Sequence, residues 1–291
     1  MRSKKSFTKR KDNLSFFLSE KDYGVDFCLG VVKIIDVHCH LTFKEYDADR
    51  AQVIADAKKV LRGVVISGVE PEDSTHAIAL AAMHERFIFV TLGLHPIHVS
   101  ENTDQDIERY AEFISENKRK IVGIGEIGLD YHWIKDPKKI KRTKEIFVEF
   151  LELAKELDLP VVLHLRGTGS EAIEDGLKIV SDEDIKKAVF HCFTGKPLLA
   201  EQICKEGYYV SLPTIIARSK SMRKVAKRIP ISLLLTETDA PYLSPVEEER
   251  NVPQNVEVVY EEISRQRKSD VKTVEEQIEN NFARLFGVAL R

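Results

Sequence analysis

Two histidines one residue apart open the chemistry of this chain, in the run Asp36-Val37-His38-Cys39-His40. In an extended strand alternate side chains fall on one side, so the imidazoles of His38 and His40 converge on one point, while Cys39 faces away as a small buried hydrophobe. Paired imidazoles suit a divalent metal ion. Four further residues of ligand type, Glu126, His164, His191 and Asp239, each lie at or just beyond the end of a strand-like run. Four imidazoles and two carboxylates exceed what one tetrahedral ion uses. They are better accounted for by two divalent ions with open positions, zinc, manganese or cobalt, with magnesium admitted by a bridging carboxylate. Two ions about 3.5–4 Å apart activate water near neutral pH and stabilise both the entering and the leaving oxygen of a displacement. Glu126 and Asp239 are therefore the catalytic candidates, Asp239 as ligand and as acceptor of the water's proton.

Candidate substrate contacts surround this set. Arg166 offers a planar fork for phosphate oxygens, or else a structural ion pair. His95, before Pro96, either meets substrate or fixes its loop. Asp130 positions Arg166 or the substrate, or caps a turn. Tyr131 and Trp133 either stack on a nucleobase or shield helix tops. Lys196 and Arg218 add positive charge nearby, and His76, His84, His98 and His132 are assigned no ligand role.

Such residues converge only if the elements carrying them share one rim. Short β-branched runs at 31–37, 63–67, 87–93, 120–125, 160–165, 187–191, 207–212 and 232–237 alternate with amphipathic stretches at 49–61, 71–84, 104–118, 137–157, 170–180, 197–206, 219–229 and 255–266. Eight βα units predict an α/β fold, a (β/α)8 TIM barrel of metal-dependent hydrolase type, with an extra C-terminal helix over 273–286 packed outside. In such barrels the C-terminal rim holds the active site, where every candidate falls. An open doubly wound sheet would show the same alternation. Its fingerprint is spelled by Gly123-Ile124-Gly125-Glu126-Ile127-Gly128, but Glu126 occupies the phosphate cradle and no partner completes the motif.

Composition sets the outer limits. With 43% hydrophobic and 31% charged residues, the 291-residue chain is neither disordered nor fibrous. Its net charge of −3 creates no global attraction for nucleic acid, so any phosphate recognition is local. No apolar run is long enough to span a bilayer, so no membrane association is expected. Cys28, Cys39, Cys192 and Cys204 show no CxxC spacing, which suits a reducing cytoplasm. Residues 1–30 form a basic extension, too briefly apolar for a secretory signal and expected to be poorly ordered. The remainder, 31–291, reads as a single barrel domain, with no obligate protein partner implied.

The ordered series Val37-His38-Cys39-His40-Leu41, Gly93-Leu94-His95-Pro96, Gly125-Glu126-Ile127-Gly128-Leu129-Asp130-Tyr131, His164-Leu165-Arg166, His191-Cys192-Phe193-Thr194-Gly195 and Glu237-Thr238-Asp239-Ala240-Pro241-Tyr242-Leu243 resembles the TatD family of metal-dependent deoxyribonucleases. Arg250-Asn251-Val252-Pro253 and Asn281-Phe282-Ala283-Arg284 extend the resemblance over about 34–286. It implies a deoxyribonuclease acting on nucleic acid, in which Glu126 bridges two metal ions bound by His38, His40, His164, His191 and Asp239. Two departures stand out. Leu165 occupies the usual serine position, with Gly167-Thr168 following Arg166 in place of Asp-Ala, and His132 replaces a common aromatic residue. Hydrolysis of a small ester, lactone or amide on the same barrel is the alternative, and a silent metal-binding scaffold the non-enzymatic one.

Overall fold

The β-branched runs of the chain become eight parallel strands, each followed in order by a helix, because a strand buried on both faces needs a covering element before the next can pair. The computed structural model describes residues 34–290, which lie within the compact unit 32–291. The expected extension over 1–30 lies outside the described residues, as does Cys28. The strands are β1 Ile34–Cys39, β2 Leu61–Gly68, β3 Ile88–Leu92, β4 Gly123–Asp130, β5 Val161–Arg166, β6 Ala188–Phe190, β7 Tyr209–Pro213 and β8 Leu234–Glu237, paired in sequence order. The helices are α1 Arg50–Val60, α2 Pro71–Met83, α3 Asp104–Glu116, α4 Pro137–Leu157, α5 Glu171–Asp182, α6 Pro197–Lys205, α7 Lys220–Arg228, α8 Glu257–Arg267 and α9 Val271–Phe286. Proline opens α2, α4 and α6, where its missing N–H costs nothing, and Thr103 and Asp106 form a capping box on α3. No helix among the described residues is long and apolar enough to cross a membrane.

The sheet nearly closes through the segment that follows β8. Asp239 N–H donates to His38 C=O at 2.9 Å and His40 N–H donates to Ala240 C=O at 2.7 Å. Asp36, fully buried, accepts the Thr238 N–H at 2.9 Å and its hydroxyl at 2.5 Å. Closing the barrel is therefore the same event that sets Asp239 beside the two histidines.

Two irregularities in strand register fall on residues of the site. In β4 the pairing with β5 slips between Ile124 and Ile127, and in β1 the pairing with β2 slips between Asp36 and Cys39. A bulge re-aims the side chains that follow it. Counting by simple alternation from Ile124 would send Glu126 to the helix-facing side. The extra residue instead gives Glu126 the same side as Gly128 and Asp130.

The fourth strand differs from the expectation of 120–125, running Gly123–Asp130 so that Glu126 sits inside it. Its glycines depress strand propensity in the sequence, yet the sheet requires them: a Cβ on Gly128, at φ +143°, would lie 2.1 Å from the His164 carbonyl oxygen. Strand β6 ends at Phe190, short of the expected 191, which leaves His191 in the turn beyond it, while β8 starts later than expected but ends at Glu237 as expected, with Asp239 in the turn that follows.

Buried apolar side chains such as Val65, Val90, Phe150, Val189 and Phe282 form one continuous core. Helix α9 is fastened by Asn281, fully buried, whose amide donates to Ile231 C=O and Leu234 C=O at 2.7 Å each. Asn281→Ala leaves both carbonyls unpartnered and is expected to cost about 2–4 kcal/mol. Urea unfolding reads this directly, and a loss under about 1 kcal/mol would show that the helix holds by apolar packing alone.

Candidate metal centre

Six side chains carried by five strands and the turns that follow them meet in one largely buried cluster. His38 Nε2 and His40 Nε2 approach to 3.2 Å. Glu126 Oε2 stands 3.3 Å from His38 Nε2 and 3.7 Å from His40 Nε2. Its other oxygen, Oε1, faces a different pair, 2.6 Å from His164 Nδ1 and 2.9 Å from His191 Nε2. Asp239 Oδ1 lies 3.3 Å from His40 and 3.6 Å from His38. The donors fall into three groups within mutual reach of an ion: His38, His40 and Glu126; His38, His191 and Asp239; and His95, Glu126 and His164.

Donor chemistry fits a metal. His40 Nδ1 sits 3.0 Å from the Ser67 carbonyl, which can only accept, so Nδ1 carries the proton and Nε2 offers its lone pair to the cluster. His38 Nδ1 is held by the Ser67 hydroxyl at 3.0 Å, itself bonded to Thr91 at 3.1 Å. His191 Nδ1 is buried with no hydrogen-bond partner, its nearest acceptor, Glu237 Oε1, being 3.5 Å away. Glu237 spends its oxygens on the Cys192 N–H and the Ser211 hydroxyl. Asp239 and Cys192 both adopt positive φ, 56° and 47°, the kind of local strain that accompanies constrained functional turns.

Charge accumulates with the same logic. Burial alone would push the Glu126 carboxyl up, but His191, His95 and His38 together hold it well below the ordinary range. Asp239 is likewise lowered against burial, by its bond to His40 and the nearby imidazoles. Burial opposes a charge on His191, but Glu126 and Glu237 outweigh it and raise that imidazole. Two carboxylates thus stay ionised inside the barrel, ready for cationic company.

Of the substrate candidates, His95, Asp130 and Arg166 line the cavity above this cluster, and Tyr131 does not. His95 Nδ1 accepts the Ile97 N–H at 3.3 Å, which leaves the proton on Nε2, 3.5 Å from Glu126. As long as that bond holds, His95 is a donor rather than a ligand. Asp130, 1% exposed, caps a turn through the His132 and Trp133 N–H groups and also meets His164 Nε2 at 3.0 Å. It therefore steadies His164, not Arg166. The Tyr131 hydroxyl bonds Asp175 at 2.7 Å on α5, away from the opening.

The cavity measures about 1390 Å³. Phe43, stacked on His40 at 4.6 Å, and half-exposed Tyr242 form one wall. Trp133, with the Arg166 guanidinium 5.8 Å over its ring, stands at another. Sequence reasoning missed Ser67, Thr91, Ser211 and Glu237, which support the site without facing substrate. The available signal was a polar residue at the end of an otherwise apolar strand.

Comparison with known proteins follows this geometry. A family model described as TatD-related DNase matches residues 35–287. An uncharacterized metal-dependent hydrolase of Methanocaldococcus jannaschii is 38% identical over 256 residues, covering 88% of this chain and 97% of that protein. The human protein named deoxyribonuclease TATDN3 is 29% identical over 264 residues, covering 88% and 95%. The crystal structure of YjjV, a TatD homologue from Escherichia coli K12, superposes with a TM-score of 0.80 at 28% identity, covering 89% of this chain and all of that one.

Proposed function

The chain belongs to the TatD-related DNase family, and from that premise we propose that it is a metal-dependent hydrolase that cleaves phosphodiester bonds of DNA with two divalent ions. The observation that carries this reading is the division of Glu126, one oxygen toward His38 and His40 and the other toward His164 and His191. His38, His40 and Asp239 would hold one ion with Glu126 Oε2, and His164 and His191 the other with Oε1. When bound, such ions lower the pKa of water and stabilise charge on phosphoryl oxygens.

The chain's own groups do the rest. Asp239, whose side chain is 15% exposed where the other carboxylate of the cluster is 3%, accepts the proton of the attacking water. His95 donates its Nε2 proton to a phosphate oxygen, and Arg166 offers its fork to the same group. Recessing the cluster below the cavity excludes bulk water and strengthens each of these interactions.

The test is hydrolysis of single-stranded DNA and of bis(p-nitrophenyl) phosphate by protein stripped with chelator and resupplied with magnesium, manganese, cobalt or zinc. Stripped protein is expected to be inactive and to melt several degrees lower, since an ion at 100 times its Kd contributes about 2.7 kcal/mol to the folded state. Full activity after stripping would refute the metal requirement. If protein carrying two ions cleaves neither substrate, the site serves a small ester, lactone or amide.

A further inference from the structure

Charge divides the rim of the cavity into two flanks. On the flank of β1, β2 and β8 the walls carry Glu45, Glu70, Glu72 and Asp73, and the three glutamates at 247–249 stand exposed on the loop after β8. On the β4 flank stand Lys135, Lys138, Lys139 and Lys141, all exposed, just past Trp133. Neighbouring cations of α4 are engaged elsewhere, Arg142 with Asp104 and Lys144 with Asp175. Lys141 lies a loose 3.6 Å from Glu145, and no acidic group among the described residues pairs with Lys138 or Lys139.

Apart from the loose Lys141–Glu145 pair, these lysine side chains do little for their own helix. The first turn of α4 has no acidic residue, and cations there oppose the positive end of the helix dipole. Asp136 caps the helix end by accepting the Lys138 N–H at 2.8 Å, but among the described residues the ammonium groups of Lys138 and Lys139 find no ion pair that accounts for their placement, and such a placement points to function. Trp133 supplies the second element: it is 65% exposed at the cavity edge. Lys138 is five positions further along the chain, at most about 18 Å away even fully extended. An aromatic face followed by unpaired cations is how proteins track a flexible strand, base on ring and phosphates on ammonium groups.

We infer that a polynucleotide strand held at the metal centre leaves the cavity over the β4–α4 corner, stacking a base on Trp133 and running its phosphates along Lys138, Lys139 and Lys141. The acidic flank repels it from the opposite side. This path rests on the phosphodiesterase reading above and adds a direction to it. It predicts dependence on strand length with little dependence on base sequence.

The test compares wild type with the triple variant Lys138→Glu, Lys139→Glu, Lys141→Glu. A control variant carries Lys118→Glu, Arg119→Glu and Lys120→Glu, the same charge change in the exposed turn that leads into the N-terminal end of β4. The ratio of kcat/KM on a twelve-residue oligothymidylate to that on bis(p-nitrophenyl) phosphate is expected to fall ~10-fold in the α4 variant and less than ~2-fold in the control. Binding of a phosphorothioate-linked oligothymidylate of the same length, read by fluorescence anisotropy, should lose about 2 from the slope of log K against log salt, three phosphates at about 0.7 each. Glutamate at the start of α4 favours the helix, so the variant should melt no lower than wild type. An unchanged ratio and slope, or an equal fall in the control, overturns the path. If wild type cleaves neither substrate, the phosphodiesterase reading fails, while the salt slope still decides whether the corner holds a strand.

Discussion

Glu126→Ala is expected to reduce bound metal from two ions to at most one and to remove measurable hydrolysis of either phosphodiester. Glu126 is 2% exposed and the sole carboxylate that reaches both imidazole pairs. Without it, four imidazoles face one another across a cavity a methyl group cannot fill. Losing the one carboxylate that both pairs share removes the negative charge that draws cations in. Breaking a buried charge cluster from one side costs about 3–5 kcal/mol, so the variant should also melt lower. Metal content by mass spectrometry, measured beside activity, separates the two effects. A variant that keeps both ions and more than about a tenth of its turnover would show that Glu126 is a bystander.

Asp239→Asn is expected to keep the fold and most of the metal but to lower kcat by about 10²–10⁴. Asparagine tolerates the positive φ that Asp239 adopts, and the backbone bond from residue 239 to His38 C=O does not involve the side chain. What is lost is the group able to take a proton. Near-normal kcat with intact melting would move the proton acceptor elsewhere, and Asp130 is a poor substitute because its oxygens are occupied by two N–H groups and His164. Because Asn251 donates to Thr238 C=O at 3.0 Å and to Tyr242 C=O at 2.7 Å, the loop bearing Asp239 is held at both ends, and the substitution should not spread.

Repetition made the architecture legible. Eight β-branched runs followed by amphipathic ones specify parallel strands with covering helices, and proline at the first position of three helices marked their starts within a residue. The gathering of His38, His40, Glu126, His164, His191 and Asp239 was legible for a related reason: each reads in the sequence as a polar residue at or just past the end of an apolar run, and in a barrel such ends share a rim, although Glu126 proves to sit inside β4. Less visible were residues that act on residues. Ser67, Thr91 and Glu237 carry no ligand spacing, and only their hydrogen bonds reveal that Ser67 and Thr91 hold His38 while Glu237 fixes the turn at Cys192. Tyr131 shows the converse, an aromatic residue beside the site in sequence whose hydroxyl is claimed by α5.

By itself, then, the sequence determined which residue types would meet and on which rim, because strand periodicity and element order are local properties of the chain. Tertiary structure alone decided how they meet. The bulge in β4 turns Glu126 inward against simple alternation, glycine at 128 lets β4 approach the His164 carbonyl, and the near-closure of β8 onto β1 sets Asp239 against His38 and His40. Each depends on a partner strand far away in the chain, whose register no local pattern encodes.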